Sequence, residues 1–176
     1  MNSTMSLMSS VTMPRARRTF GIDPGLASLG WAVIERDGGD WRLVDCGCLT
    51  TAADRATTDR LQALHDQLLV LLRQHRPQDV SMEKLLFTTN VSSGIAVGQA
   101  RGVAALAVGE AGLPLREFTP TAVKLSITGD GRADKRQIHQ MLKLLLKTPH
   151  LSTNDNTADA VAIALCGAQT IDFSTQ

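Results

Sequence analysis

The sequence predicts an α/β domain built on a mixed five-stranded sheet with helices on both faces. Two observations carry this. Three strand-like stretches follow one another at the start, separated by turn signals, so they form consecutive antiparallel hairpins. A helical pattern and a short strand come next, and a helix between two strands is a crossover that lays the second strand parallel to the first. At 176 residues the chain is one domain by size and can bury its own core. Residues 1–18 are expected to be a disordered extension, 19–170 the domain and 171–176 a tail.

Thr19, Phe20 and Ile22 suit the first strand, which Pro24-Gly25 must end because proline cannot donate to a ladder. Trp31 to Ile34 resume strand character, leaving Asp23 at the first corner of a hairpin. Asp37-Gly38-Gly39-Asp40 is the next turn, and Trp41 to Thr50 the third strand. From Thr57 to His75, Leu61, Leu64, Leu68, Leu71 and Leu72 recur at helical spacing, with Thr57 or Thr58 to cap the helix and Pro77 to stop it. Val80 to Glu83 is a short strand with Glu83 at its C-terminal end. Asn90 to Glu110 is a helix crowded with Ala and Gly, which suits a tight contact with the sheet or with a second copy of the chain. Leu115 to Phe118 is the last strand, and Thr119-Pro120-Thr121 opens a brief helix. Gly129 to Arg132 is a glycine loop, after which Asp134 caps or opens a helix carrying Lys135, Arg136, Ile138, Leu142 and Lys147. A final helix runs from about Asn156 to Ala168, and Asp159 interrupts its apolar series.

Composition narrows the function classes. A formal net charge of +1 rules out a surface that is basic all round, so any nucleic-acid footprint must be local. Cys46, Cys48 and Cys166 form neither a C-x-x-C pair nor a Cys/His cluster, which argues against a disulfide framework and structural zinc and fits a reducing cytoplasm. No run is long and apolar enough to span a membrane. Met1 to Met13 lacks the pattern of a signal peptide, and Arg15-Ala16-Arg17-Arg18 reads as a solvated basic leader.

Three acids stand in unusual places: Asp23 and Glu83 at strand ends, and Asp159 on an apolar helix. Singly, each has an ordinary structural explanation as a turn former, a solvated strand end or an ion-pair partner. Buried carboxylates gathered at one point instead call for a cation, and hard oxygen donors suit magnesium or manganese better than zinc.

The sequence also resembles a known family in five ordered motifs. These are Gly21-Ile22-Asp23-Pro24-Gly25 with Gly30, Met82-Glu83 before Asn90, Gly98-Gln99-Ala100-Arg101-Gly102, Gly129-x-Gly131-Arg132-Ala133-Asp134-Lys135, and Ala158-Asp159-Ala160-Val161-Ala162-Ile163-Ala164. From about Phe20 to Gly167 they resemble the RuvC Holliday junction resolvases. The resemblance implies an RNase H-like fold and a homodimer that cuts opposed strands of a four-way DNA junction in recombination and repair, in company with a branch-migration motor. It implies that Asp23, Glu83 and Asp159 are metal ligands and catalytic groups, with Asp23 bridging two Mg2+ or Mn2+ ions about 4 Å apart. Hydrolysis would then leave a 5′-phosphate and a 3′-hydroxyl.

One position departs from the pattern. Three residues before Asp159 the family usually carries Asp or His, and here stands Asn156. Residues three apart share a helix face, so Asn156 can still present a carbonyl oxygen, without the charge. Asp155, four before Asp159, is near the same face and reads either as a substitute ligand or as a helix cap. A chain weakened in cleavage, binding junctions structurally, is the third possibility.

The resemblance also assigns DNA contacts to Lys124 and Lys135, with Arg101, Arg132 and Arg136 in matching segments. Such charges hold backbone phosphates without reading bases. Phe87 lies where the family carries an aromatic that enters the junction, although the first aromatic position of that pattern is Leu86 here. A rival reading, a sugar-kinase-like ATPase built on the same Asp-x-Gly hairpin, needs two such lobes and finds one.

Overall fold

The computed structural model describes residues 16–85, 91–149, 151 and 154–172. The elements, in chain order, are β1 (Arg17–Asp23), β2 (Ser28–Asp37), β3 (Asp40–Thr50), α1 (Thr57–His75), β4 (Asp79–Glu83), α2 (Val91–Glu110), β5 (Leu115–Phe118), α3 (Pro120–Thr128), α4 (Lys135–Leu145) and α5 (Asp155–Asp172). The five strands stand in the order β3-β2-β1-β4-β5. β1 pairs antiparallel with β2 and β2 with β3, whereas β4 lies parallel to both β1 and β5. The mixed sheet expected from the order of elements is therefore the one formed.

Side-chain alternation divides the sheet into two faces. Phe20, Ile22, Trp31, Val33, Val80 and Met82 point to one face, where α1 and α2 cover them through Leu64, Leu68, Ala100 and Ala104. Ala32 and Ile34 point to the other, under α3, α4 and α5. The small residues of α2 are thus explained in part: Ala100, Ala104 and Ala107 are fully buried and let the helix approach α1 and the sheet closely.

Glycine lets helix α5 lie close on its face at three points: Gly21 and Gly30 in the strands beneath it, and Gly167 on the helix itself, over Ser81. A Cβ on Gly21 would lie 2.4 Å from the Ala160 carbonyl oxygen, one on Gly30 would lie 1.9 Å from that of Asn156, and one on Gly167 would lie 1.8 Å from Ser81 Oγ. Backbone therefore rests on backbone, and the height of α5 over β1 and β2 is set without an intervening side-chain layer.

Several boundaries differ from the sequence reading. Arg17 and Arg18 belong to β1 and not to a solvated leader: Arg17 pairs with Asp79 at 3.1 Å, and Arg18 pairs with Glu35 at 2.7 Å and donates to the His75 carbonyl. The N-cap of α1 is Ala56, so neither Thr57 nor Thr58 caps it. α4 stops at Leu145, and Lys147, in the left-handed region at φ 51°, lies beyond it and pairs with Asp40. α5 runs to Asp172, two residues into the expected tail.

At the end of the sheet opposite Asp23 and Glu83, Asp79 is 1% exposed and holds both Arg17 and Arg116. Removing a buried charge strands its partners. Because both arginines keep some contact with water, Asp79→Ala is expected to cost about 2–3 kcal/mol, read as a drop in melting temperature of roughly 5–10 °C.

Candidate active site

The two strand-end acids meet because β1 and β4 are parallel neighbours. Ile22 pairs with Met82, so the next rung brings Asp23 beside Glu83 at the same C-terminal edge. Alternation then decides where they point: Asp23 shares the face of Gly21, and Glu83 that of Ser81, which is the face covered by α5. Asp159 lies on α5 one residue before Ala160, whose carbonyl rests on Gly21. Three acids far apart in sequence thus converge at one corner.

Their electrostatics record the crowding. Burial, followed by the charges of Asp159 and Glu83, pushes the Asp23 carboxyl up to about 7. Burial and then Asp159 raise Glu83, and burial raises Asp159 against the pull of Lys135. Carboxylates that raise one another are short of positive charge. Lys135 supplies some of it: its Nζ donates to Asp155 at 3.1 Å and to Asp159 at 3.5 Å, and its own pKa is raised, first by the Asp155 bond. The capping box of α4 places this lysine, since Asp134 and Gln137 exchange side-chain-to-backbone bonds and fix the start of the helix at Lys135.

Among the described residues no three His, Cys, Asp or Glu side chains close into a ready-made ion cage. The donor set is hard oxygen carrying uncompensated negative charge, which fits a divalent ion of the magnesium class.

The structure sorts the remaining expected site residues. Asn156 lies beside the corner, its carbonyl over Gly30, which pairs with Asp23. Its Nδ2 donates to Ser28 Oγ at 2.6 Å. Asp155 is not the helix cap: Asn154 Oδ1 accepts from the Thr157 amide at 3.1 Å, and Asp155, in the first turn, holds Lys135. Lys124 and Lys135 line a cavity of about 180 Å³ with Glu83 and Asp159, over an apolar floor of Val123, Ile138 and Ile163. Arg136, His139 and Asp155 line a second cavity of about 280 Å³ that shares Lys135, Ile138 and Asp159 with the first. Arg132 is exposed in the preceding loop, its backbone amide donating to Asp130. Arg101 is drawn inward instead, into an ion pair with Glu117 of β5 that leaves its side chain 19% exposed. Phe87 and Leu86 lie outside the described residues.

Sequence reasoning passed over Ser28 and His139. An i, i+4 step from Lys135 could have pointed to His139. Nothing local marks Ser28, because its partner is 128 residues away.

Comparison with known proteins agrees with this geometry. The family model described as crossover junction endodeoxyribonuclease RuvC matches residues 19–167. The chain belongs to the RuvC family. A RuvC of Chloroflexus aggregans is 48% identical over 153 residues, covering 87% of this chain and 93% of that protein. A RuvC of Roseiflexus sp. (strain RS-1) is 46% identical over 151 residues, covering 86% and 90%. Among solved structures, T. thermophilus RuvC in complex with Holliday junction substrate superposes with a TM-score of 0.86 at 30% identity, covering 90% of this chain and 97% of that one. The yeast mitochondrial Holliday junction resolvase Ydc2, at 16% identity and a TM-score of 0.64, shares the fold. The RNase H-like fold of the RuvC resolvases is thus the fold found here. No helix of the described residues is long and apolar enough to cross a membrane.

Proposed function

We propose that the chain is a metal-dependent endonuclease that resolves four-way DNA junctions by paired nicks in opposed strands. The observation that carries this reading is the convergence of Asp23, Glu83 and Asp159, each with a raised pKa, at one open corner of a RuvC fold. Two Mg2+ or Mn2+ ions held there would supply the Lewis acidity for attack of water on phosphorus and for departure of the 3′-oxygen. Asp23, at the meeting point of the other two carboxylates, would hold these ions together with Glu83 and Asp159.

The chain's own groups do the rest. Lys124 and Lys135, on the wall of the cavity beside Glu83, hold the phosphates that flank the cut and offset the repulsion between acids and DNA. Lys135, paired here with Asp155 and Asp159, would be free to turn to the phosphate where those carboxylates held cations instead. Arg132 and Arg136 extend the basic rim outward, and Phe87 is the aromatic of this reading that enters the junction. Arg101, held by Glu117, contributes by shaping the α2–β5 contact.

A homodimer belongs to the same reading, with a branch-migration motor as a further partner and the cytoplasm as the compartment. Its support is the outer stripe of α2, where Ile95 and Leu106 are 58% and 56% exposed and a Cβ on Gly102 or Gly109 would meet nothing. Two copies packed there would present two corners to two opposed strands.

Incubating a synthetic four-way junction with the protein in Mg2+ or Mn2+ tests the proposal: symmetrical nicks with 5′-phosphate ends are expected, and none in chelator. ATP hydrolysis without DNA would instead favour the kinase-like rival. Asn156, which lacks the charge of an acid, also supports a second reading in which junctions are bound and cut weakly. The two part on Asn156→Asp. If the second ion is held less firmly by the amide, the aspartate variant should reach half-maximal nicking at about tenfold lower metal, with little change at saturation. Unchanged metal dependence would mean that position 156 is not a ligand.

A further inference from the structure

We infer that Ser28 is a positioning residue that turns the Asn156 amide so that its oxygen, and not its nitrogen, faces the carboxylate corner. This rests on the metal-dependent reading above and adds to it a residue outside the acidic set.

Ser28 is the first residue of β2, and alternation puts its side chain on the α5 face together with Gly30 and Ala32. Asn156 is held over that strand by its own backbone, because its carbonyl rests on Gly30. Its Nδ2 donates to Ser28 Oγ at 2.6 Å, and Ser28 Oγ in turn lies 2.8 Å from Cys48 Sγ on the neighbouring strand. The three side chains therefore form a short chain from α5 through β2 to β3.

An amide is two-ended: one end donates and the other accepts, on a single plane. An unanchored Asn156 beside Asp23 would be drawn to turn its NH2 toward the carboxylates, and an NH2 offers a cation nothing. Committing Nδ2 to Ser28 removes that choice, and Oδ1 is left pointing away from the serine. Cys48 completes the arrangement, since a thiol that shares the serine hydroxyl still leaves an oxygen lone pair free for Nδ2. Such a device has a use only for asparagine: an aspartate at 156 has two equivalent oxygens, and either can serve a cation.

The test is Mn2+ binding without DNA, followed by the electron paramagnetic resonance signal of the free ion, with metal-free melting to show that each variant is folded. Ser28→Ala is expected to weaken Mn2+ binding about tenfold, in the range for a residue that orients a ligand. Ser28→Thr, which keeps the hydroxyl on a strand, should restore it. Ser28→Cys, a poor acceptor of the same size, should behave as alanine does and serves if the alanine variant folds badly. In an Asn156→Asp background the alanine change should have no effect. Wild-type affinity in Ser28→Ala overturns the inference, and so does an equal loss in both backgrounds, which would make Ser28 a support of the fold alone. If the unaltered protein bound no Mn2+, or Asp23→Asn bound it equally well, the metal-dependent reading itself would fall, and this inference with it.

Discussion

Asp23→Asn is expected to abolish junction nicking and, in the absence of metal, to make the protein harder to melt. The first effect follows from losing a carboxylate that, on the proposed reading, holds the ions, several kcal/mol of transition-state charge stabilisation at about 1.4 kcal/mol per decade, or a rate loss of about 10³-fold or more. The second follows from the raised pKa of about 7. An acid whose folded pKa lies above its unfolded value binds more protons folded than unfolded between the two. Stability of the wild type therefore falls as pH rises from about 4 to about 7 and then levels off. Asparagine, with no proton to lose, does not share that fall. At pH 8 without metal the variant should be more stable by about 2–4 kcal/mol, a rise in melting temperature of roughly 5–15 °C. Near pH 4 the two should coincide. Excess Mg2+ should reverse the order at pH 8, because only the wild type gains from binding it. Equal melting at pH 8 without metal, or equal nicking, would show that Asp23 does not sit in a crowded, charge-deficient corner.

Gly30→Ala should be equally damaging without touching any acid. The added methyl carbon would stand 1.9 Å from the Asn156 carbonyl oxygen and 2.5 Å from its carbonyl carbon, and both obstacles are backbone. α5 must lift, at a cost of about 3 kcal/mol, the upper end for overpacking. The lift occurs one turn before Asp159 and carries it away from Asp23. A misplacement of about 1 Å is worth roughly 10²-fold in rate, so cleavage should fall even at temperatures where the variant stays folded. Gly39→Ala is the control: nothing lies within 4 Å of its added carbon, and the change should stay within about 0.5 kcal/mol. A Gly30→Ala protein with normal melting and normal metal-dependent nicking would mean that α5 is not seated on the backbone.

The sequence made the sheet readable because its signals are local. Strand alternation, the Pro24-Gly25 stop and the leucine spacing of α1 each act within a few residues, and the strands and helices formed where those signals lie. Asp23 and Glu83 were legible for the same reason: an acid that ends an apolar strand is conspicuous, and parallel pairing brings two such ends together. What was hidden depends on contacts between distant segments. The pairing of Arg17 with Asp79, the diversion of Arg101 to Glu117 and the bond from Asn156 to Ser28 all join residues whose own neighbourhoods give no hint of a partner. The glycines beneath α5 belong to the same class. Gly21 and Gly30 look like ordinary hairpin residues until the helix that needs them is laid across. Of the two readings of Asp155, the cap fails because Asn154, one residue earlier, performs that role through the Thr157 amide.

The seating of α5 also bears on how the protein is made. Asp23 and Glu83 leave the ribosome early, but α5, which carries Asp159 and rests on β1 and β2, is the final helix of the described chain. Contacts of such long sequence separation form late and slowly. Until they form, the nascent chain has two acids and no third, and its sheet face with Gly21 and Gly30 lies bare. The proposed cutting centre is thus incomplete until translation has passed residue 159, so that an unfinished chain is expected to leave DNA uncut.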